Sequence, residues 1–128
     1  MRLLLDTHAF LWFILDDPKL SDKARGLIAD PENDVEISPA SYWEIAIKIS
    51  LKKYVLPEPY EIFMNWELKQ NNFLILPIEL KHTAVLTELP FHHRDPFDRL
   101  LIAQARSENI PLVSTDPVMD AYPIKRLW

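Results

Sequence analysis

Five acids stand where acids can do chemistry: Asp6, Glu44, Asp95, Asp98 and Asp116. Asp6 follows the apolar run Leu3-Leu4-Leu5, and Asp116 follows Pro111-Leu112-Val113-Ser114-Thr115. Both runs read as short buried strands that deliver an Asp at their carboxyl ends. Asp95 and Asp98 open the helix that feeds the second strand. Glu44 lies about one and a half turns into a helix that starts at Ser38-Pro39. In a parallel sheet, ligands bind at the carboxyl edge of the strands. Carboxylates gathered there without cations repel one another and take up protons. Mg²⁺ or Mn²⁺ removes that conflict, because hard cations prefer carboxylate and water oxygens. Acids around one or two such ions form the pattern of metal-assisted phosphodiester cleavage.

Each acid also has an ordinary structural reading. Asp is a common N-cap, and Asp-Pro is a natural helix start, which alone accounts for Asp95 and Asp116. Asp98 in a first helical turn suits the macrodipole. Glu44 and Lys48 form an i,i+4 pair in the favourable order. Glu44 is the hardest to dismiss, since an acid on so apolar a helix needs a partner or an ion. Asp6 comes next. Around them, Arg99 could steady a substrate phosphate or pair with Asp95 or Asp98. Arg94, in the loop His92-His93-Arg94, and Thr115 are further candidates for phosphate contact, although that loop reads first as solvated chain. Ser114 could hold a water or cap a turn. The four histidines have no metal-ligand spacing.

The elements that must position these residues alternate. Leu3 to Leu5 is a strand and Thr7 to Leu15 a buried helix, capped by Asp6 or Thr7 and stopped at Asp16-Asp17-Pro18. Ser21 caps a helix over 22–30. Val35-Glu36-Ile37 is a strand. The helix over 39–52 leaves Ser41, Glu44 and Lys48 as its narrow polar stripe. After an extended connector, a helix over 60–70 carries Ile62, Phe63 and Trp66. Tyr54, Phe63 and Trp66 read as core; exposed, they would mark a partner groove. Phe73 to Leu76 is a third strand, 79–89 a helix broken by Pro90, and 124–127 a last edge strand. A helix, a tight loop at Asn109 and a strand ending on Asp116 make one αβ unit of a parallel sheet, so the whole reads as one α/β domain over 1–128.

Composition narrows the function. There is no cysteine, which removes disulfides, thiol catalysis and Cys-based zinc sites. The single glycine, Gly26, removes Walker and dinucleotide loops. A net charge of −5 argues against binding nucleic acid through a broadly basic surface; bound cations could supply positive charge locally. No apolar run approaches the ~18 residues of a membrane span, and no secretory leader is read, so a cytoplasmic protein is expected.

At these residues the chain resembles the PIN-domain ribonucleases, and within them the VapC toxins of toxin–antitoxin pairs. Leu3-Leu4-Leu5-Asp6-Thr7-His8 looks like the family's opening strand with its first acid. Ser38 to Ile47, with Glu44, looks like the Ser-containing helix. Asp95-Pro96-Phe97-Asp98-Arg99, followed by Ile102-Ala103-Gln104-Ala105, looks like the third acidic element, and Val113-Ser114-Thr115-Asp116 like the fourth. The resemblance implies an α/β/α three-layer sandwich around a parallel sheet. It implies Mg²⁺- or Mn²⁺-dependent cleavage of RNA by Asp6, Glu44, Asp98 and Asp116, a homodimer, and inhibition by a small antitoxin protein. Spacing to Ala103 and Ala105 favours Asp98 as the third acid, with Asp95 a cap or auxiliary ligand.

Two other classes compete. One is a PIN module that binds RNA or protein without cleaving; the retained acids count against it. The other is an aspartyl phosphotransferase using Asp6. Such enzymes place a second Asp two residues on, where this chain has His8.

Overall fold

The computed structural model describes residues 1–128. Five parallel strands form one sheet in the order β3-β2-β1-β4-β5. They are β1 (Arg2–Leu5), β2 (Asp34–Ile37), β3 (Leu74–Ile75), β4 (Leu112–Val113) and β5 (Arg126–Leu127). The helices are α1 (Thr7–Ile14), α2 (Asp22–Ala29), α3 (Pro39–Ser50), α4 (Tyr60–Gln70), α5 (Leu80–Thr87) and α6 (Pro96–Glu108), with a 3-10 turn over Pro117–Ala121.

Side-chain alternation along β1 builds the layers. Leu3 and Leu5 point to one face and join a core with Phe10, Ala24, Ile28, Ile45 and Met64 of α1 to α4. Leu4 points to the other and meets Leu101, Ile102 and Ala105 of α6, with Leu89 and Met119. Both faces of the sheet are covered, as a parallel sheet requires.

The caps follow the sequence. Asp6 Oδ1 accepts from Ala9 N at 2.8 Å, Ser21 Oγ accepts from Ala24 N at 3.1 Å, and Ser38 Oγ accepts from Ala40 N at 3.1 Å. Asn109, in the left-handed region at φ 54°, ends α6 and turns the chain into β4.

Strand order fixes the crevice. From β1 the chain steps to β2 and β3 on one side, then returns to β4 and β5 on the other. The carboxyl ends of β1 and β4 therefore flank a switch point, where neighbouring connections leave in opposite directions. Asp6 N donates to Val113 O at 3.1 Å, so Asp6 lies beside the end of β4.

Two apolar expectations differ from the structure. Phe63 is buried, but Ile62 and Trp66 of the same helix are 59% and 61% exposed. Trp43 of α3 is exposed as well, while Ser41 and Glu44 are buried. The polar stripe of α3 is thus its inner face at the crevice, and part of its apolar surface faces out. A helix apolar over most of its girdle does not announce which side is inside.

Candidate metal centre at the carboxyl edge

Each acid reaches the crevice from a different element. Asp6 caps α1 at the end of β1 and is 4% exposed. Glu44 comes from the second turn of α3 and is also buried. Asp98 sits in the first turn of α6, and Asp116 caps the 3-10 turn after β4. Ser114 Oγ accepts from Asp116 N at 3.1 Å and ties the end of β4 to the residue that caps that turn. Below Asp6, Thr7 Oγ1 donates to Ser41 Oγ at 3.1 Å and joins α1 to α3 under the site.

The acids feel one another. Burial pushes the Asp6 carboxyl up, the Ser114 hydroxyl and Ala9 amide pull it back, and Glu44 pushes it further up. The Asp98 carboxyl is pushed up to about 7, first by burial, then by Asp95 and Asp6, with Glu44 adding to them and His93 opposing. Such shifts arise where like charges share a partly dry site.

Two cations or donors offset part of this charge. Lys48 Nζ lies 3.1 Å from Glu44 Oε2 and 3.4 Å from the Tyr54 hydroxyl. His93 Nε2 lies 2.8 Å from Asp116 Oδ2 and 3.3 Å from Asp98 Oδ2. His93 is thus part of the site, not solvated chain. Its only signal in the sequence is its place two residues before Asp95.

The phosphate candidates separate. Arg94 and Thr115 are exposed, each next in the chain to a site acid. Arg99 does not meet the expectation of a phosphate contact or of an ion pair with Asp95 or Asp98. Its guanidinium turns inward and donates to Pro90 O at 2.9 Å, Leu89 O at 3.2 Å and His93 O at 3.4 Å. It also lies 3.8 Å from the centre of the Phe91 ring. A planar fork of donors suits converging loop carbonyls as well as it suits phosphate. Asp95 is a cap: its Oδ1 accepts from Phe97 N at 2.9 Å and from Asp98 N at 3.0 Å.

The donor chemistry fits a hard divalent cation. The site offers carboxylate oxygens from four elements, and two of those carboxyls are held above their ordinary range by burial and mutual repulsion. A second group of possible donors, Glu79, His82 and Glu108, lies at the far end of α6. It differs in that its charge is already balanced. Glu108 holds Lys81 Nζ at 2.8 Å and Arg2 at 3.2 Å, and Glu36 holds Arg2 at 2.7 Å. Lys81, His82 (Nε2 2.8 Å away) and Arg2, in that order, pull the Glu108 carboxyl down to about 2. That network reads as a brace between α6, α5 and the amino end of the sheet.

The raised acids make a pH-linked prediction. Between its ordinary 3.8 and about 7, Asp98 binds more protons folded than unfolded, so its contribution to stability falls as pH rises through that window. Asp98→Asn removes this cost. Without metal, the variant should melt well above wild type at about pH 8 and close to it at about pH 4, read by circular dichroism. Equal differences at both pH values would contradict the shift. Added Mg²⁺ or Mn²⁺ should stabilise wild type more at the higher pH, because ions bind the deprotonated acids.

No curated protein matches the sequence. Solved structures share the fold. VapBC2 from Rickettsia felis, bound to a DNA fragment from their promoter, superposes with a TM-score of 0.74 at 21% identity, covering 100% of this chain and 99% of that one. FitAcB from Neisseria gonorrhoeae gives 0.68 at 17% identity over 98% of this chain and 96% of its own. VapBC-1 from nontypeable Haemophilus influenzae gives 0.67 at 17% identity over 99% and 97%. The family model of the PIN domain matches residues 3–125, nearly the whole chain: the chain belongs to the PIN-domain family.

Proposed function

We propose that the protein is a divalent-metal-dependent endoribonuclease, the toxin of a toxin–antitoxin pair, acting in the cytoplasm as a homodimer of this one domain. The observation that carries the reading is the acidic crevice itself. Burial and the charge of Glu44 raise the Asp6 carboxyl, burial, Asp6 and Glu44 raise that of Asp98, and Asp98 and Asp116 flank His93. Asp6, Glu44, Asp98 and Asp116 would hold Mg²⁺ or Mn²⁺. Such an ion would make water a stronger nucleophile toward phosphorus and offset charge on the leaving oxygen.

The chain's own groups do the rest. Asp6 and Glu44 are both buried and so are themselves shielded from bulk water. Lys48 holds Glu44 in place while leaving its own flank exposed to the backbone of a bound strand. Arg94 and Thr115, at the rim, are the side chains available to substrate phosphates. Asp95 holds the start of α6 and so the place of Asp98.

A protein partner is supported by two things. The similar structures are VapBC and FitAcB assemblies. The chain also leaves Ile62 and Trp66 of α4, and Leu74 and Ile75 of the edge strand, exposed. An antitoxin covering the crevice and a second copy of the chain are the expected occupants of such surfaces.

The test is cleavage of total cellular RNA by protein refolded away from any partner, with and without Mg²⁺ or Mn²⁺, beside Glu44→Gln. Discrete fragments that require both the ion and Glu44 are expected. Absence of cleavage with metal binding intact would favour a PIN module that binds RNA without cutting it.

A further inference from the structure

We propose that His93 is a positioning residue for the metal site: it donates from Nε2 to Asp116, holds that acid beside Asp98, and does not itself ligate the ion. The inference rests on the reading of the acids as a metal site, and it concerns how this chain prepares them.

His93 sits close enough to Asp98 and Asp116 for all three to offer atoms to one ion. The hydrogen bonding of the ring argues for a different role. Asp95 N donates to His93 Nδ1 at 3.1 Å. Nδ1 is therefore the acceptor, and in the neutral ring the hydrogen lies on Nε2. Nε2 in turn lies 2.8 Å from Asp116 Oδ2, which accepts its hydrogen, and 3.3 Å from Asp98 Oδ2. An imidazole binds a metal through a nitrogen lone pair. To free that of Nε2, the hydrogen would have to move to Nδ1, where it would meet the Asp95 N–H head on. The usual arrangement of a ligating histidine, with its second nitrogen donating to an acceptor, is reversed here.

The ring is also held from behind. His93 N donates to the Tyr122 hydroxyl at 2.8 Å, and that hydroxyl donates to Pro90 O at 2.8 Å. His93 O accepts from Arg99. A side chain fixed by its own backbone contacts loses little freedom in making its hydrogen bonds. The result brings two like-charged carboxylates from α6 and the β4 turn toward one donor. Asp98 Oδ1 remains available to an ion, and Asp116 Oδ1, which accepts from Val118 N at 3.0 Å, keeps a second lone pair for one. His82 shows the same polarity at the far end of α6: Glu79 N donates to its Nδ1 at 3.0 Å, and its Nε2 faces Glu108 at 2.8 Å. There too the histidine braces a carboxylate.

The experiment compares wild type, His93→Gln and His93→Ala. The amide nitrogen of Gln can reach the place of Nε2 and donate; Ala cannot. Mn²⁺ affinity is measured by calorimetry, and Mn²⁺-bound wild type is examined by electron spin-echo spectroscopy for a directly bonded ¹⁴N. Loss of an outer-shell partner weakens metal binding about 10–100-fold, so His93→Ala should fall in that range and His93→Gln should recover most of it. No bonded ¹⁴N is expected in wild type. A ¹⁴N coupling of ligand strength would overturn the proposal, as would His93→Ala binding Mn²⁺ as tightly as wild type or His93→Gln binding as weakly as His93→Ala. Should His93→Ala fail to fold, His93→Gln and the ¹⁴N measurement still decide. Wild type that binds Mn²⁺ but cleaves no RNA would defeat the nuclease reading and leave this inference intact. Wild type that binds no Mn²⁺ would defeat both.

Discussion

The Asp6→Asn protein is expected to keep its fold and to lose RNA cleavage by at least about 100-fold, since even outer-shell partners of a metal are worth 10–100-fold. Asp6 has two duties that this change separates. Its Oδ1 caps α1 through Ala9 N, and its charge, 4% exposed, belongs to the crevice. Asn caps a helix about as well as Asp, so the first duty survives. The second does not, because a neutral amide neither repels its neighbours nor attracts a cation. Without metal the variant should melt above wild type, since burial and Glu44 both act against the charge that it removes. Asp6→Ala is the less informative change: it also removes the cap, at about 1 kcal/mol, and mixes a folding defect into the activity loss. Cleavage and melting measured on the same Asp6→Asn sample check both halves. Wild-type cleavage by that sample would remove Asp6 from the metal site.

The parts of this molecule legible in sequence were those governed by local rules. Strand-then-Asp at Asp6, Ser-Pro at Ser38, and Asp-Pro at Asp95 and Asp116 are cap signals, and the structure has a cap at each. The αβ unit around Asn109 follows from helix periodicity and a left-handed stop. What local rules do not carry is direction and distance. Arg99 lies one residue from Asp98 in the chain, yet its guanidinium faces loop carbonyls on the other side. His93 lies 23 residues from Asp116 and meets it only because α6 and β4 return the chain to the same edge. The inward face of α3 is set by α1 and α6 packing on it, which its own sequence does not encode. The strand order β3-β2-β1-β4-β5 is likewise a matter of long-range pairing; four short apolar runs and an edge strand are compatible with several orders.

Arg99→Ala is expected to be the most destabilising single change at the site, costing roughly 2–4 kcal/mol. The side chain is 6% exposed. Its fork satisfies the carbonyls of Leu89, Pro90 and His93 together, and the Phe91 ring covers it. Truncation leaves carbonyls without a donor, each worth about 1–3 kcal/mol if it stays dry. Relaxation of the loop to admit water should hold the total below the simple sum. Arg99→Lys keeps the charge but not the fork, and a single ammonium cannot reach carbonyls arranged for a planar donor, so only part of the loss should return. The same loop carries His93, so the change should also loosen the donor that holds Asp116 beside Asp98. Unfolding in urea and Mn²⁺ affinity, measured side by side, separate the two effects. His93→Ala should weaken the metal while leaving the unfolding midpoint nearly in place; Arg99→Ala should move both. If Arg99→Ala lowered metal affinity with no loss of stability, its guanidinium would be acting at the crevice, and its inward hydrogen bonds would not describe its role.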